Sequence, residues 1–308
     1  MENTEQEKLG AIKDSFEDYL GRKDCLSSSD IYNLLISPLA FHIAQTEPHE
    51  DKLCFTLGSA IHCAIIEPHE FENRYQSFDD SFRPEPEKNY RSKKNKVWKT
   101  EMIGAAKKKG FQYLSKAQKQ DVDNHKKSVE RNPDAVKLIS ECTMFETSYY
   151  SQVSFGDRKY NLRCRPDMMG KKNYISIKST KAPTFDAFPR EISKYNYQAK
   201  EAFYWLVLNA TRRAIGMPEL ENGFIIAIGE HETFVYEMNT KEMQIDGITP
   251  FINDGLHMID VALKRYDKIK ATNKFEGSEI NHGGLFTTPI YLSQWEQNRI
   301  DNLISQNQ

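Results

Sequence analysis

Asp167 and Lys178, near the middle of the chain, have the residue types and the spacing for metal-assisted hydrolysis of a phosphodiester. Lys178 lies in the run YISIKST (174–180), and in a strand its side chain shares one face with Ser176 while the isoleucines face the other way. Asp167 ends the preceding strand, so a hairpin of this length brings its carboxylate towards Lys178. In such a site the carboxylate holds Mg²⁺, with Mn²⁺ as a substitute, and the ammonium orients the attacking water.

A less specific interpretation competes at each of these positions. An Asp and a Lys on neighbouring strands are most often an exposed ion pair that contributes little to stability. His62 lies inside the apolar run LCFTLGSAIHCAII (53–66), where a lone His is usually a core residue whose hydrogen bonds are satisfied. Residue types alone therefore do not decide between a catalytic site and ordinary packing.

The elements that must position these side chains alternate between helical and strand periodicity. Residues 27–46 predict two short helices separated at Pro38, because proline lacks the amide hydrogen that a helix interior needs. The apolar run 53–66 predicts a buried helix. The later segments predict three strands joined by tight turns (145–155, 159–169, 174–180), a long packed helix (191–214), two more strands (223–229, 232–238) and an amphipathic helix (240–271). This order predicts a mixed α/β fold.

The charge is distributed unevenly along the chain. Between Arg83 and Arg131 there are 15 Lys or Arg against 6 Asp or Glu, a local charge of +9 in a chain of net charge −2, so the remainder carries −11. We interpret residues 79–135 as a basic, partly helical insertion in a single domain spanning 1–308, with a polar tail from about residue 272 in which Trp295 anchors a last helix. Lysine clusters are usually solvated faces, but a basic segment on an acidic body also suits a nucleic-acid partner.

The composition excludes several classes of protein. Hydrophobic residues make up 39% of the chain, and no apolar run approaches the roughly 18 residues that a membrane span needs. The first 20 residues are acidic and amphipathic, unlike a secretory signal, so we expect a cytoplasmic location and no membrane partner. The 5 cysteines are scattered without a C-x-x-C pair, which argues against a disulfide framework and against a zinc ribbon.

Three segments, in this order, resemble a known nuclease family. RCRPD followed by ISIKST resembles the PD-(D/E)XK signature, and TLGSAIHCAIIEPHEF (56–71) resembles the His-bearing helix of the exonuclease VIII family, the RecE type of phage and prophage. YNYQAKEAFYWL (195–206) resembles the Gln/Tyr helix that follows the signature in that superfamily. The likeness covers roughly residues 25–240, and three motifs in family order are far more specific than one.

The resemblance implies a PD-(D/E)XK core, an α/β fold with a mixed central sheet flanked by helices. It implies a Mg²⁺-dependent exodeoxyribonuclease that resects linear double-stranded DNA from its ends for single-strand-annealing recombination. The expected partners are the DNA ends, a RecT-like single-strand annealing protein and further copies of the chain in a ring-shaped homo-oligomer, in the cytoplasm of a bacterial host. The implied residues are His62 and Asp167 as metal ligands, Lys178, Ser176, Gln198 and Tyr204 at catalytic positions, and Arg165, Lys93, Lys94, Lys96, Lys107, Lys108 and Lys109 as DNA contacts.

Ser176 is the main departure from the family pattern, which has Asp or Glu two residues before the lysine. A hydroxyl is a weaker ligand for hard divalent ions than a carboxylate, so we expect lower metal affinity and an impaired or inactive enzyme. Ser176 is then either an inactivating substitution or a divergence that leaves a non-cleaving protein that binds DNA ends or a protein partner. Rescue by Glu67 or Glu70 is disfavoured, because five residues along a helix rotate Glu67 about 140° away from His62.

The third motif departs from the pattern as well. Lys200 stands where the family often has Gln, four residues before Tyr204. Gln198 and Tyr204 are six residues apart, which puts them on different faces of a straight helix, so we expect only one of them to reach the site.

Overall fold

The computed structural model describes residues 11–12, 14–47, 53–78, 80–89, 91–239, 244–245 and 249–277. The predicted last helix around Trp295 lies outside these residues. The described part of the chain is mixed α/β, with a mixed central sheet between two helical layers. No helix in these ranges is long and apolar enough to cross a membrane.

The central sheet has five strands in the order β3-β6-β7-β8-β9. Only β7 and β8 run parallel, and the other neighbours are antiparallel. Two small sheets lie beside it, the antiparallel hairpin β4-β5 and the parallel pair β1-β2. The strands are β1 (Tyr75–Phe78), β2 (Gln112–Ser115), β3 (Cys142–Phe145), β4 (Tyr149–Phe155), β5 (Arg158–Cys164), β6 (Met168–Gly170), β7 (Asn173–Ser179), β8 (Asn222–Ile228) and β9 (Thr233–Glu237).

The prediction of three consecutive strands was wrong in one respect. Segment 159–169 forms two strands, because Arg165, Pro166 and Asp167 separate β5 from β6. Pro166 has no amide hydrogen to donate to a ladder, and the chain changes sheets there, since β5 pairs with β4 whereas β6 pairs with β7. Asp167 is therefore held at the junction of two sheets.

Eleven α-helices are present in the described ranges. They are α1 (Phe16–Gly21), α2 (Ser28–Ile36), α3 (Pro38–Thr46), α4 (Leu53–Ile66), α5 (Phe71–Arg74), α6 (Lys93–Lys108), α7 (Lys116–Glu130), α8 (Pro133–Ser140), α9 (Phe188–Lys194), α10 (Tyr197–Ala214) and α11 (Pro250–Thr272). The predicted break at Pro38 is confirmed, with this proline at the first position of α3. The basic segment is partly helical, as predicted, with the two polar helices α6 and α7, and it also contains the strand β2, which the sequence did not predict.

The long helix predicted over 191–214 is divided into α9 and α10. Asn196 between them adopts a left-handed conformation with φ of 51°, which short polar side chains tolerate better than most residues. The division lets α10 start in a new direction, and α10 then packs on α11 and β4.

The side chains of β7 alternate between the two helical layers, as the sequence predicted. Ile175 and Ile177 are buried in an apolar cluster together with residues of α4, α7 and α8. Tyr174 points to the opposite layer, where its hydroxyl donates a hydrogen bond to the Glu201 carbonyl of α10 at 2.8 Å. Because side chains alternate along a strand, Ser176 and Lys178 face α10 as well.

Candidate metal centre and its cleft

His62, Glu146 and Asp167 meet at one point in the fold. One ligand atom from each side chain lies within 4.8 Å of the other two. His62 comes from α4, Glu146 from the turn after β3, and Asp167 from the residue before β6. Ligands of Mg²⁺ or Mn²⁺ lie about 2.1 Å from the ion and hence up to about 4.2 Å apart, so the three groups need only a small adjustment to share an ion.

The backbone of Ile177 in β7 holds two of these ligands. Its N–H donates to Asp167 Oδ2, and its carbonyl oxygen lies 3.2 Å from His62 Nε2. A carbonyl only accepts hydrogen bonds, so Nε2 must carry the hydrogen, and in a neutral ring Nδ1 then keeps its lone pair for a metal. Strand β7 therefore fixes the orientation of the imidazole as well as that of the carboxylate.

The charges around the centre favour a neutral imidazole and an ionised Asp167. Burial lowers the pKa of His62, and the nearby ammonium groups of Lys178 and Lys200 lower it further, against the opposite effect of Asp167. Burial on its own would raise the pKa of Asp167, but the positive charges of His62 when it is protonated and of the two lysines, together with the Ile177 N–H, outweigh it, so this pKa is lowered. Both groups are thus in the protonation state that binds a metal.

Glu146 is the member of this cluster that the sequence did not predict. The sequence places it within the strand predicted over 145–155, but it lies in the turn between β3 and β4 with φ of 46°, a left-handed conformation that is costly for a residue with a long side chain. Its N–H donates to the Asp167 carbonyl oxygen at 3.0 Å, which ties this turn to the start of β6. The acidic side chain in the short connection after β3 was the only sequence signal.

The pKa of Glu146 is raised to about 7, first by burial and then by the negative charge of Asp167, while Arg165 opposes the shift. Two neighbouring carboxylates in a buried site repel each other when both are ionised. A divalent cation between them would remove this repulsion.

We expect the stability of the metal-free protein to respond to pH through Glu146. A raised acid pKa contributes stability that is present below its ordinary value of 4.5 and is lost as the pH rises through about 7. The Gln of a Glu146→Gln variant cannot ionise. The free energy of unfolding of this variant should therefore equal that of the wild-type protein near pH 5 and exceed it near pH 8 by about 1 to 3 kcal/mol. Chemical denaturation of both proteins in EDTA at the two pH values measures this.

His62 titrates with the opposite sign in the same range, but it does so in both proteins and cancels in the comparison. If the two proteins differed in their free energy of unfolding by the same amount at pH 5 and at pH 8, the raised pKa of Glu146 would be contradicted.

Ser176 and Lys178 both contact Glu201 of α10. Ser176 Oγ donates to Glu201 Oε2 at 2.7 Å, and Lys178 Nζ lies 3.3 Å from Glu201 Oε1. Glu201 has 0% of its surface exposed, and Lys178 has 8%. The acid beside Ser176 thus comes from α10 and not from Glu67, which pairs with Arg74 at 2.6 Å, nor from Glu70.

The other two predicted residues of α10 differ in their surroundings. Tyr204 is buried, its ring packs edge-on against Tyr174, and Asp167 contributes to its raised pKa. The backbone carbonyl oxygen of Gln198 faces α11, where it would be 2.2 Å from a Cβ at Gly255, and its side-chain Oε1 is buried without a hydrogen-bond partner among the described residues. Tyr204 is thus the residue of this pair for which the structure shows an electrostatic contact with Asp167.

Lys200, at the position where the family often has Gln, reaches the site through its charge. Its ammonium lies 5.4 Å from the centroid of the Tyr204 ring and lowers the pKa of both His62 and Asp167. Lys200 also lines the cleft beside the centre, so it links the buried ligands to the surface.

The cleft has a volume of about 1620 Å³ and opens between α2, α4, α7, the end of β7 and the start of α10. Its lining residues Ile61 and Ser179 are the chain neighbours of His62 and Lys178. Four carboxylates and two lysines lie on its described wall, together with three tyrosines: Asp121, Glu191, Glu230 and Glu232, Lys181 and Lys200, and Tyr32, Tyr195 and Tyr197. The cleft is thus large enough for a polymer end but is not basic.

The residues expected to contact DNA lie elsewhere. Arg165 is 13% exposed at its side chain, and its guanidinium pairs with Asp14 at 3.1 Å and with Glu146 at 3.4 Å. It therefore supports the metal centre instead of being presented to solvent. The six predicted lysines are exposed on α6 or directly after it, and none of them lines the cleft: Lys93, Lys94, Lys96, Lys107, Lys108 and Lys109.

The four cysteines whose side chains the structure describes do not form a cluster that could hold a metal. Cys25, Cys63, Cys142 and Cys164 are free thiols, and the side chain of Cys54 lies outside the described residues. Burial raises the pKa of the Cys142 thiol to about 12, so it stays protonated.

Comparison with known proteins does not place the chain in a family. No family model matches it, and no curated protein matches it. One similar solved structure is the crystal structure of SSO0001, with 11% sequence identity, coverage of 85% of this chain and 83% of that chain, and a TM-score of 0.35. A likeness of this extent carries no argument about activity.

Proposed function

We propose that the protein is a metal-dependent deoxyribonuclease with a PD-(D/E)XK core that resects linear double-stranded DNA, as its resemblance to the exonuclease VIII family implies. The observation that carries the proposal is the convergence of His62, Glu146 and Asp167 on one point, with Lys178 in electrostatic contact with two of them. Two carboxylates and an imidazole can hold a divalent ion for hydrolysis of a phosphodiester, and an ammonium beside them can position the attacking water.

The donor set suits Mg²⁺ and Mn²⁺. Hard divalent ions bind carboxylate oxygens, Mn²⁺ also accepts an imidazole nitrogen, and both keep bound waters when the protein supplies few ligands. Asp167, Glu146 and His62 Nδ1 would hold the ion, and the bound ion would supply charge neutralisation and a more acidic water.

The protein's own residues have separate tasks in this mechanism. Asp167 and His62 keep fixed orientations through Ile177, so these two ligands are already oriented before an ion binds. The ammonium of Lys178, at 8% exposure, is held at the centre where it can position the attacking water or bind a phosphate oxygen. Lys200, on the wall of the cleft, adds a positive charge next to the bound strand.

The order of elements supports the proposed core. Asp167 precedes β6, Lys178 lies on β7, and helix α10 connects β7 to the parallel strand β8. The remaining parts of the proposal rest on the family resemblance: a ring-shaped homo-oligomer around the DNA, a RecT-like annealing partner, and the lysines of α6 as contacts to phosphates. Each phosphate contact adds to affinity and to its dependence on salt.

A second candidate is a protein of the same fold that holds DNA ends or a protein partner without cleaving. Ser176 favours it, because β7 lacks an acid beside Lys178. The cleft favours it too, because four carboxylates against two lysines repel the phosphate backbone.

The experiment that separates the two candidates uses DNA with and without ends. We expect the purified protein with Mg²⁺ or Mn²⁺ to degrade linear duplex DNA, to spare covalently closed circles, and to stop when EDTA is added. Lys178→Met provides the matched inactive control. Retention of linear DNA in a gel-shift assay without any degradation, in either ion, would favour the non-cleaving protein.

A further inference from the structure

Glu201 is a fully buried acid whose carboxylate is directed at strand β7. A buried carboxylate is costly unless it is paired and hydrogen-bonded. Here Ser176 donates to Oε2 at 2.7 Å, and the Lys178 ammonium lies 3.3 Å from Oε1. Among the described residues Oε1 has no partner in hydrogen-bond geometry, so the ammonium beside it is its main source of stabilisation.

The contact with Ser176 leaves room for only one carboxylate. In Asp, the carboxylate carbon takes about the position that Oγ has in Ser, and its oxygens extend roughly 1.2 Å further. Glu201 Oε2 lies 2.7 Å from Ser176 Oγ, so the carboxylate of an Asp at position 176 would enter the space that the Glu201 carboxylate occupies. A small residue at position 176 and an acid at position 201 are therefore complementary.

The position of this carboxylate is set by the backbone of α10. The Tyr174 hydroxyl donates to the Glu201 carbonyl at 2.8 Å, which fixes this turn of the helix against β7. Lys178 also lies 5.3 Å from the centroid of the Tyr197 ring at the start of the same helix. The ammonium is thus held between α10 on one side and Asp167 on the other.

We propose that Glu201 is the positioning residue for Lys178, and that it supplies from helix α10 the negative charge that strand β7 lacks at position 176. Its relevance to catalysis rests on the proposed nuclease function, since Lys178 acts there on the attacking water or the phosphate. Ser176 is then the hydrogen-bond donor to a relocated acid, and the chain is a working enzyme rather than an impaired one.

A charge swap tests the proposal. Glu201→Gln and Glu201→Ser each remove the carboxylate, and Ser176→Asp places a second one in the same space, so each should lower DNA hydrolysis by about 10- to 100-fold and lower the melting temperature by about 5 to 10 °C. The double variant combines Ser176→Asp with Glu201→Ser, because Gln would fill the same space as Glu. It carries one carboxylate again, but on β7, and should recover most of the activity and of the melting temperature. Ser179→Asp combined with Glu201→Ser is the matched control, because residue 179 faces the other side of the strand and should not rescue.

The two readouts separate this proposal from the proposed function. Recovery of both readouts in the double variant supports the positioning role, because a purely structural glutamate would not be replaced by an acid on another element. The proposal would be overturned if the losses of hydrolysis and of melting temperature in the single variants added up in the double variant. It would also be overturned if Glu201→Gln changed neither readout. If the double variant recovered the melting temperature but neither the wild-type protein nor any variant hydrolysed DNA, the pairing of Glu201 with Lys178 would be supported. The nuclease function would then be refuted.

Discussion

Replacing Asp167 with Asn is expected to abolish metal binding and to reduce DNA hydrolysis by about a thousandfold. Asn keeps an oxygen that can accept the hydrogen bond from the Ile177 N–H, so the local fold should persist. The substitution removes the negative charge that would bind the ion and that interacts with His62 and Lys178. Loss of a metal ligand costs several kcal/mol of transition-state stabilisation, and about 4 kcal/mol corresponds to a factor of roughly 10³. Titration calorimetry with Mn²⁺ and the rate of loss of linear duplex DNA measure the two effects.

Asp121→Asn is the control for this prediction. Asp121 is an acid on the wall of the same cleft, but it is not part of the ligand cluster. It should bind Mn²⁺ with the affinity of the wild-type protein. If Asp167→Asn bound Mn²⁺ with the affinity of the wild-type protein, the ion would not be bound by Asp167.

Replacing Gly255 with Ala is expected to destabilise the protein by about 2 to 3 kcal/mol, although Ala is normally the better residue in a helix. Helices α10 and α11 approach most closely at this glycine, where an added Cβ would lie 2.2 Å from the Gln198 carbonyl oxygen and 2.5 Å from the Ala202 Cβ. The helices must move apart, and α10 carries Lys200 and Glu201. Denaturation in urea measures the loss, and a fall in DNA hydrolysis should accompany it.

Gly104→Ala is the matched control within the same chain. Gly104 lies inside helix α6, and no atom lies within 4 Å of the Cβ that Ala would add. This substitution should therefore stabilise the protein by about 0.5 to 1 kcal/mol. A stabilising effect at Gly255 as well would mean that the two helices are not in close contact in solution.

Local sequence patterns correctly predicted those elements of the site whose structure depends on near neighbours in the chain. The strand alternation of β7, the helix around His62 and the break at Pro38 all depend on near neighbours, and all three are present. The division of segment 159–169 at Pro166 was missed because strand propensity continues through the change of sheet. The left-handed Asn196 was missed because helical spacing of apolar residues continues on both sides of it.

The two unpredicted acids mark the limit of local patterns. Glu146 and Glu201 have no sequence pattern that links them to His62, Asp167 or Lys178. Glu146 depends on an unusual turn that is hydrogen-bonded to Asp167, and Glu201 depends on the rotation of α10 relative to β7. Neither a turn conformation nor the rotation of a packed helix follows from residue spacing.

Residue types and periodicity were enough to predict candidate side chains for the chemistry and to place Ser176 and Lys178 on one face of a strand. The acids that join them could not be predicted in this way, because the contacts connect distant parts of the chain: His62 and Ile177 are 115 positions apart, and Ser176 and Glu201 are 25 apart. Periodicity reports on neighbours within a few residues, whereas a site of this kind is assembled by the packing of separate elements.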